Sequence, residues 1–381
     1  MGGCAALSLI LPNALTVLAV IPVLELVLGN TDGRPNADPR LTTALVLAVI
    51  YGANIGGTGS VTGSPANLYL LLALEVLELP RREAVHFFSW LAFGLPLMVL
   101  LLLPAWGILW AFTPRDVLNA LGQVTVSAPV KSPPIGLQRI GNRVLAICLT
   151  AHLCVLLAAP FIQQYPVCKL DLDRVRLTVS FADLSVAAIT VVTAAVLLSI
   201  RVTVPRSGDS GAANIRMALL PIRNLWGQLP WRGLLMAAGA LTIVFAVACL
   251  GGRRVLTHIA TQWLPARHGG LLLGLTLVIL CIFATELLSN TTTATLLFPL
   301  AAVLSQGAGV APLSITIGIS LASTCAFMTP IATPVNALAF GALPGTRLRV
   351  MLSAGAVVNL VCGGVIALWV VYVVPIVLAW F

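Results

Sequence analysis

Charged residues are rare in this chain, and the spaces between them set its first reading. Runs without Lys, Arg, Asp or Glu cover residues 41–74, 86–114, 144–168, 184–200, 233–252, 269–285, 287–346 and 350–381. A helix crossing the hydrocarbon core needs about 20 apolar residues, so each run is long enough for one or more crossings or for re-entrant pieces. Hydrophobic and polar positions alternate only weakly within the runs, and Leu, Ala and Gly abound. That pattern predicts helices and not the strands of an outer-membrane barrel.

Polar side chains interrupt these runs in particular places. The stretch "TELLSNTTTATLLFPL" (285–300) packs Ser289, Asn290, Thr291, Thr292, Thr293 and Thr295 into a segment with no charge until Arg347. Unpaired polar groups in hydrocarbon cost several kcal/mol each, so the patch must solvate something or bond internally. Ser and Thr in membrane helices often only bond back to a carbonyl or join two helices. Against that reading, the patch has a fainter twin. "PNALTVLAVIP" (12–22) aligns with "SNTTTATLLFP" (289–299), matching Asn13 to Asn290 and Pro22 to Pro299. Downstream, "TGSPANL" (62–68) aligns with "IATPVNA" (331–337), matching Ser64-Pro65 to Thr333-Pro334 and Asn67 to Asn336. Repeated segments broken by Gly and Pro mark secondary transporters. A broken helix bares N–H groups at one end, suited to an anion, and carbonyls at the other, suited to a cation. "YGANIGGTGSVTGSPANLYL" (51–70) has the glycines and proline of such a break.

The chain has 381 residues, 59% hydrophobic and 9% charged, with a mean hydropathy of +1.04. No water-soluble core of ordinary size needs so much apolar surface, and the class is a polytopic membrane protein. The net charge of +9 does not point to nucleic acid, because the basic residues are scattered over loops. They fit a topological role. Arg115, Lys131, Arg139 and Arg143 in 113–143, and Arg201, Arg206, Arg216, Arg223 and Arg232 in 201–232, suit two cytoplasmic loops. The run Arg253, Arg254, His258 and Arg267 falls outside in this scheme and opposes it. Cys148, Cys154, Cys249, Cys281, Cys325 and Cys362 lie in apolar runs without CxxC pairing and read as small buried hydrophobes. His152, in an apolar helix, reads as a structural residue, and Glu286 divides between cation or proton coupling and a structural partner at the hairpin. No nucleophile–base pair, metal-ligand spacing or phosphate loop suggests an enzyme.

The strings "IGGTGSVTGSPANL", "TELLSNTTTATLLFP" and "CAFMTPIATPVNALAFG" resemble the divalent anion:sodium symporters, the family of di- and tricarboxylate and sulfate carriers. The resemblance runs in order from about residue 8 to the C-terminus. It implies an all-α inverted-repeat transporter with two re-entrant hairpins and two discontinuous helices, the hairpin tips meeting near the midplane around substrate and sodium. It implies a homodimer in membrane lipid, with no nucleic acid and with sodium as the coupling ion in place of any cofactor. Carried over residue by residue, substrate contacts fall to Asn13, Ser64, Pro65, Ser289, Asn290, Thr291, Thr333 and Pro334. One sodium falls to Ser8, Asn13 and Gly63, the other to Thr285, Asn290 and Ala332, mostly through carbonyl and amide oxygens.

Two departures qualify that implication. The first tip reads Pro12-Asn13-Ala14 where the family has SNT, and Met1 falls inside the first hairpin, leaving the preceding family helices unmatched. The expectation is a first transport repeat in 1–112 with a truncated hairpin, connecting loops and spanning helices in 113–232, and a second repeat in 233–381. The function expected is sodium-coupled symport of divalent organic anions such as succinate or citrate, with sulfate as a further option, in a plasma or bacterial inner membrane. The alternative is a truncated or non-transporting paralogue that acts by association with a full-length carrier.

Overall fold

The computed structural model describes residues 1–28, 38–121, parts of 143–158, 166–172, 175–204, 215–218, 242, 269–307, 310–343 and 345–381. Most of the two basic loops, the run from Arg253 to Arg267, Cys249 and His152 lie outside the described residues. The chain divides into two compact units, one of residues 1–128, 172–176 and 236–381, the other of 129–171 and 177–235.

The first unit holds both polar stretches, and its helices come in two matching series. The first series is α1 (Gly2–Ser8), α2 (Asn13–Val27), α3 (Pro39–Gly56), α4 (Pro65–Val76) and α5 (Phe87–Phe112), followed by α6 (Arg115–Leu121). The helix α7 (Phe181–Ser199) belongs to the second unit. The second series is α8 (Gly269–Thr285), α9 (Asn290–Gly307), α10 (Pro312–Ser323), α11 (Pro334–Ala342) and α12 (Leu348–Leu368), which continues through a π-helical turn, Trp369–Val373, into α13 (Val374–Leu378). The helices stop where the sequence predicts: α3 and α10 end before the loops 57–64 and 324–333, and Pro65 and Pro334 restart α4 and α11 at the first helical position. Proline is favoured there, because it gives up an N–H that would have no intrahelical partner. Pro22 and Pro299 sit inside α2 and α9 at matching positions.

Packing exchanges elements between the series. Within each, the hairpin's first arm lies on the helix before the break, α1 on α3 and α8 on α10. Between them, the second arm lies on the other series' restarted helix, α2 on α11 and α9 on α4, and α5 packs on α12. Two glycines make the loop contacts possible. A Cβ on Gly94 of α5 would lie 2.9 Å from the Thr58 carbonyl oxygen, and one on Gly355 of α12 would collide with that of Phe327. Each break is thus pressed against a later span through a missing side chain. The helices α5 and the stretch Leu348–Leu378 are long and apolar enough to cross a membrane. Their outer faces present Leu100, Leu103, Trp106 and Trp110, and Val357, Leu360 and Leu368, as lipid contact requires.

Among the described residues the fold is helical, apart from two short strand pairs in and beside the charged stretches. These are β1 (Pro166–Leu172) with β2 (Val175–Ser180), and β3 (Arg201–Val204) antiparallel to β4 (Ile215–Ala218). They are minor additions to the helical fold that the sequence predicts. The cysteine expectation also needs correction at two places, since Cys154 is exposed and Cys148 half-buried, while Cys281, Cys325 and Cys362 are buried. An apolar run fixes a preference for lipid or core without choosing between them.

Candidate substrate and ion site

Each hairpin tip joins two helices by four residues, and its polar groups bond to the break beside it. In the first series the Ser8 hydroxyl donates to the Ala53 carbonyl at 2.8 Å. Gly63 comes so near that a Cβ there would lie 2.8 Å from the Ser8 carbonyl oxygen. Asn13, 6% exposed, donates its amide to Asn54 Oδ1 at 3.4 Å, and its own Oδ1 accepts from the Ala14 N–H. In the second series the Thr285 hydroxyl lies 2.8 Å from Asn290 Oδ1 and 3.1 Å from the Ser323 carbonyl. Ser289 precedes α9 and its oxygen accepts the Thr292 N–H at 3.3 Å, the geometry of an N-cap. Its hydroxyl is 2.7 Å from that of Thr292 and 3.3 Å from that of Thr291. Of the dense polar patch, Thr295 only bonds back to the Thr291 carbonyl.

The breaks are fastened by two asparagines at identical spacing. Asn67 donates to the carbonyls of Gly57 and Ser60 at 3.0 and 2.8 Å. Asn336 donates to those of Ala326 and Thr329 at 2.9 and 2.8 Å. A further pair matches: Ser60 donates to the Leu9 carbonyl at 2.6 Å and Thr329 to the Glu286 carbonyl at 3.0 Å. Each clasp therefore holds its loop in a turn and ties it to its own hairpin tip. Each is also held from the other series, Asn336 Oδ1 by the Asn54 amide at 3.0 Å and Asn67 Oδ1 by the Ser320 hydroxyl at 2.9 Å.

Glu286 belongs to the second half alone, because Leu9 occupies the matching place. Its carboxylate is 4% exposed and accepts the N–H groups of Met328 and Thr329 and the Asn359 amide, all at 2.8 Å. Three donors around one buried carboxylate make it a structural tie between tip, break and α12. The structural partners that the sequence reading allowed for Glu286 are thus Met328, Thr329 and Asn359.

The residues expected at the site gather in two places, one around each tip and its break. Ser8, Gly63, Asn13 and Ser64 lie around the first tip and break. Thr285, Ser289, Asn290, Thr291, Ala332 and Thr333 lie around the second, with Ala332 buried in the loop before α11. Pro65 and Pro334 are exposed at the restarts. The Thr333 oxygen accepts the Asn336 N–H at 3.0 Å and caps α11. Ser64, its counterpart, is fully buried and its hydroxyl has no hydrogen-bond partner. An orphaned buried hydroxyl costs about 1–3 kcal/mol, and here it sits at a helix start where the family resemblance implies a substrate contact. Thr16 and Thr293, at matching places one turn into α2 and α9, are likewise buried without a partner. Asn54, Ser320 and Asn359 escaped the sequence reading; their only signal was a polar side chain in an apolar run.

Residues 1–318 match the family model described as citrate transporter, CitMHS. The chain belongs to the citrate transporter family. Among curated relatives, the sodium-dependent high-affinity dicarboxylate transporter 3 of Caenorhabditis elegans is 27% identical over 88% of this chain and 60% of its own length. The sodium-dependent dicarboxylate transporter SdcS of Staphylococcus saprophyticus is 28% identical over 98% of this chain and 68% of its own. An uncharacterized transporter of Haemophilus influenzae is 27% identical over 95% and 69%. The chain thus spans about three fifths to two thirds of the length of these relatives. The resemblance to the divalent anion:sodium symporters holds, and membership of a transporter family makes the chain an integral membrane protein and not an enzyme.

Proposed function

We propose that the chain carries out sodium-coupled symport of divalent organic anions, succinate or citrate before sulfate. One observation carries the coupling. The segments that supply both tips and breaks of the site contain no basic side chain: 2–24, 41–74 and 269–346 hold no Lys or Arg, and Glu286 adds a negative charge to the last. A dianion moved from water into such surroundings pays a desolvation cost that hydrogen bonds from Ser289, Thr291, Ser64 and helix starts only partly offset. A cation entering with it supplies the missing charge. The oxygens at hand, of Asn13, Asn290, Thr285, Ser8 and the loop carbonyls near Gly63 and Ala332, are the hard donors sodium prefers.

In this reading the two series are inverted repeats, the tips are re-entrant and meet at the midplane, and Pro65 and Pro334 start the half-helices whose N–H groups face the substrate carboxylates. The relatives' names support both dicarboxylate and sodium, and a homodimer goes with the same family reading. A second reading rests on Pro12 and Ala14, which remove both hydroxyls from the first tip: a chain that does not transport and acts by association with a full carrier.

The test is a titration of succinate into the purified chain in sodium and in choline buffer, followed by thermal shift. Sodium-dependent stabilisation is the expected result. Equal shifts in the two buffers overturn the coupling, and no shift in either favours the associative reading.

A further inference from the structure

The polar groups of the two halves are joined by a chain of amides that runs from the first hairpin tip to the second break. Asn13 donates to Asn54 Oδ1 at 3.4 Å. The Asn54 amide then donates to Asn336 Oδ1 at 3.0 Å and to the Ala326 carbonyl at 3.2 Å. Asn336 Oδ1 also receives the Thr333 hydroxyl at 3.0 Å, and the Asn336 amide grips the carbonyls of Ala326 and Thr329. Both Asn54 and Asn336 are fully buried.

We infer that Asn54 is a positioning residue that couples the two cation sites, transmitting occupancy of the Asn13 site to the loop carrying Ala332 and Thr333. The inference rests on the symport reading above and names the residue through which its two sites communicate. The physical basis is the two-ended amide. A cation drawn to the Asn13 carbonyl oxygen polarises that amide and strengthens its N–H as a donor. Asn54 accepts at one end and donates at the other, so the strengthening passes to Asn336 with the same sign. The low dielectric of the buried segment keeps the effect from being screened. The Asn336 clasp sets the turn from 326 to 329, which precedes Ala332 and Thr333, so a firmer clasp narrows the positions of the second site's carbonyls.

The reciprocal tie explains why the coupling residue is Asn54 and not its opposite number. Ser320 holds the Asn67 clasp as Asn54 holds that of Asn336. The Ser320 hydroxyl spends its single proton on that bond, whereas Asn54 joins clasp and tip with separate atoms. Ser320 is a fastening, and Asn54 is a link.

The test is the sodium dependence of succinate binding to the full 381-residue chain in detergent, for the unaltered protein and for Asn54→Leu, Asn54→Ser and Ser320→Ala. Two coupled cation sites give a Hill coefficient of about 2 in the unaltered chain. Asn54→Leu is expected to bring it to about 1, with half-saturating sodium raised several-fold. Asn54→Ser keeps a hydroxyl for the clasp, as Ser320 provides in the other half, and is expected to melt near the unaltered chain while also falling to about 1. Ser320→Ala is expected to retain the cooperative curve. A Hill coefficient that survives in Asn54→Ser overturns the inference, as does a sodium-dependent but non-cooperative unaltered chain. An equal loss in Ser320→Ala also overturns it, because general loosening between the halves would then suffice. An unaltered chain whose succinate binding ignores sodium overturns the symport reading itself. If Asn54→Leu does not fold, Asn54→Ser alone decides.

Discussion

At the second hairpin tip Ser289 caps α9, Thr285 binds Asn290 Oδ1, and Glu286 draws in two backbone N–H groups and an amide. At the first, Pro12 and Ala14 flank Asn13, Leu9 stands where Glu286 would, and the Ser64 hydroxyl is left without a partner. The surrounding helices pack in matching ways, so the difference lies in side chains and not in architecture. The comparison teaches that at the restarted helices one half spends its hydroxyl internally, Thr333 on Asn336, while the other keeps that of Ser64 uncommitted. A helix start with its hydroxyl satisfied is preorganised. A start with an orphan is less stable alone and gains more when a ligand enters.

The largest expected effect is at Glu286. Glu286→Ala would leave the buried Asn359 amide and the half-buried N–H groups of Met328 and Thr329 without their partner, at about 1–3 kcal/mol for a buried group and less for the other two, so unfolding in detergent should show a loss of about 2 kcal/mol or more. Leu9→Ala at the matching place should cost well under half of that. Equal losses would break the contrast between the halves.

Next come the tip asparagines. Asn290→Ala removes an oxygen for the cation and a donor for the carboxylate, and should weaken sodium-dependent succinate binding ten- to a hundredfold, about 1.5–3 kcal/mol for bonds to charged groups. Thr292→Ala, which loses one hydroxyl bond to Ser289, should change binding by less than about threefold, near the low end for a neutral bond. Normal binding by Asn290→Ala in the same titration would remove the residue from the site.

Pro12→Ser with Ala14→Thr makes the first tip like the second. The new Ser is expected to cap α2 for about 1 kcal/mol and to tighten sodium-dependent binding, provided Ser64 contributes its hydroxyl. Ser64→Ala in the same background should cancel the gain in binding and leave the gain in melting temperature. If binding does not improve, the first half differs from the second by more than these two side chains.

The smallest effect concerns how the later spans begin. The imidazole of His86 accepts the Ser89 N–H at the start of α5, and the Ser89 hydroxyl accepts the His86 N–H in return, whereas α12 starts at Arg347 with no side-chain cap. Burial holds the His86 pKa below the ordinary histidine value, because the charged form is harder to solvate there. A depressed folded pKa means the contribution is complete above about pH 6.5 and is lost as pH falls through the lower folded value. The unaltered chain should therefore melt slightly lower as pH drops below 6.5, and His86→Asn, which caps without titrating, should flatten that slope.

Much of the site was legible in local sequence. Pro65 and Pro334 restart helices where proline must, Asn13 and Asn290 open α2 and α9, and the doubled Ser64-Pro65 and Thr333-Pro334 frame both breaks. Hydropathy and backbone chemistry act over a few residues, so a string of letters carries them. The roles of Asn67 and Asn336 were half legible, as a matched pair without a stated task. The reading of Glu286 stayed divided, because its partners at 328, 329 and 359 are remote in the chain.

From sequence alone, then, came the membrane class, the helical breaks, the repeat and the polar letters of the proposed site. Tertiary structure alone decided which of those letters meet. Asn54 finds Asn336 across 282 positions and Ser320 finds Asn67 across 253, because α3 lies on α11 and α10 on α4. An amide or hydroxyl in an apolar run must find a partner or pay for its absence, a demand written at its own position. Which partner answers depends on the packing of helices whose apolar faces are nearly interchangeable in sequence, and that choice is made only when the two halves close on each other.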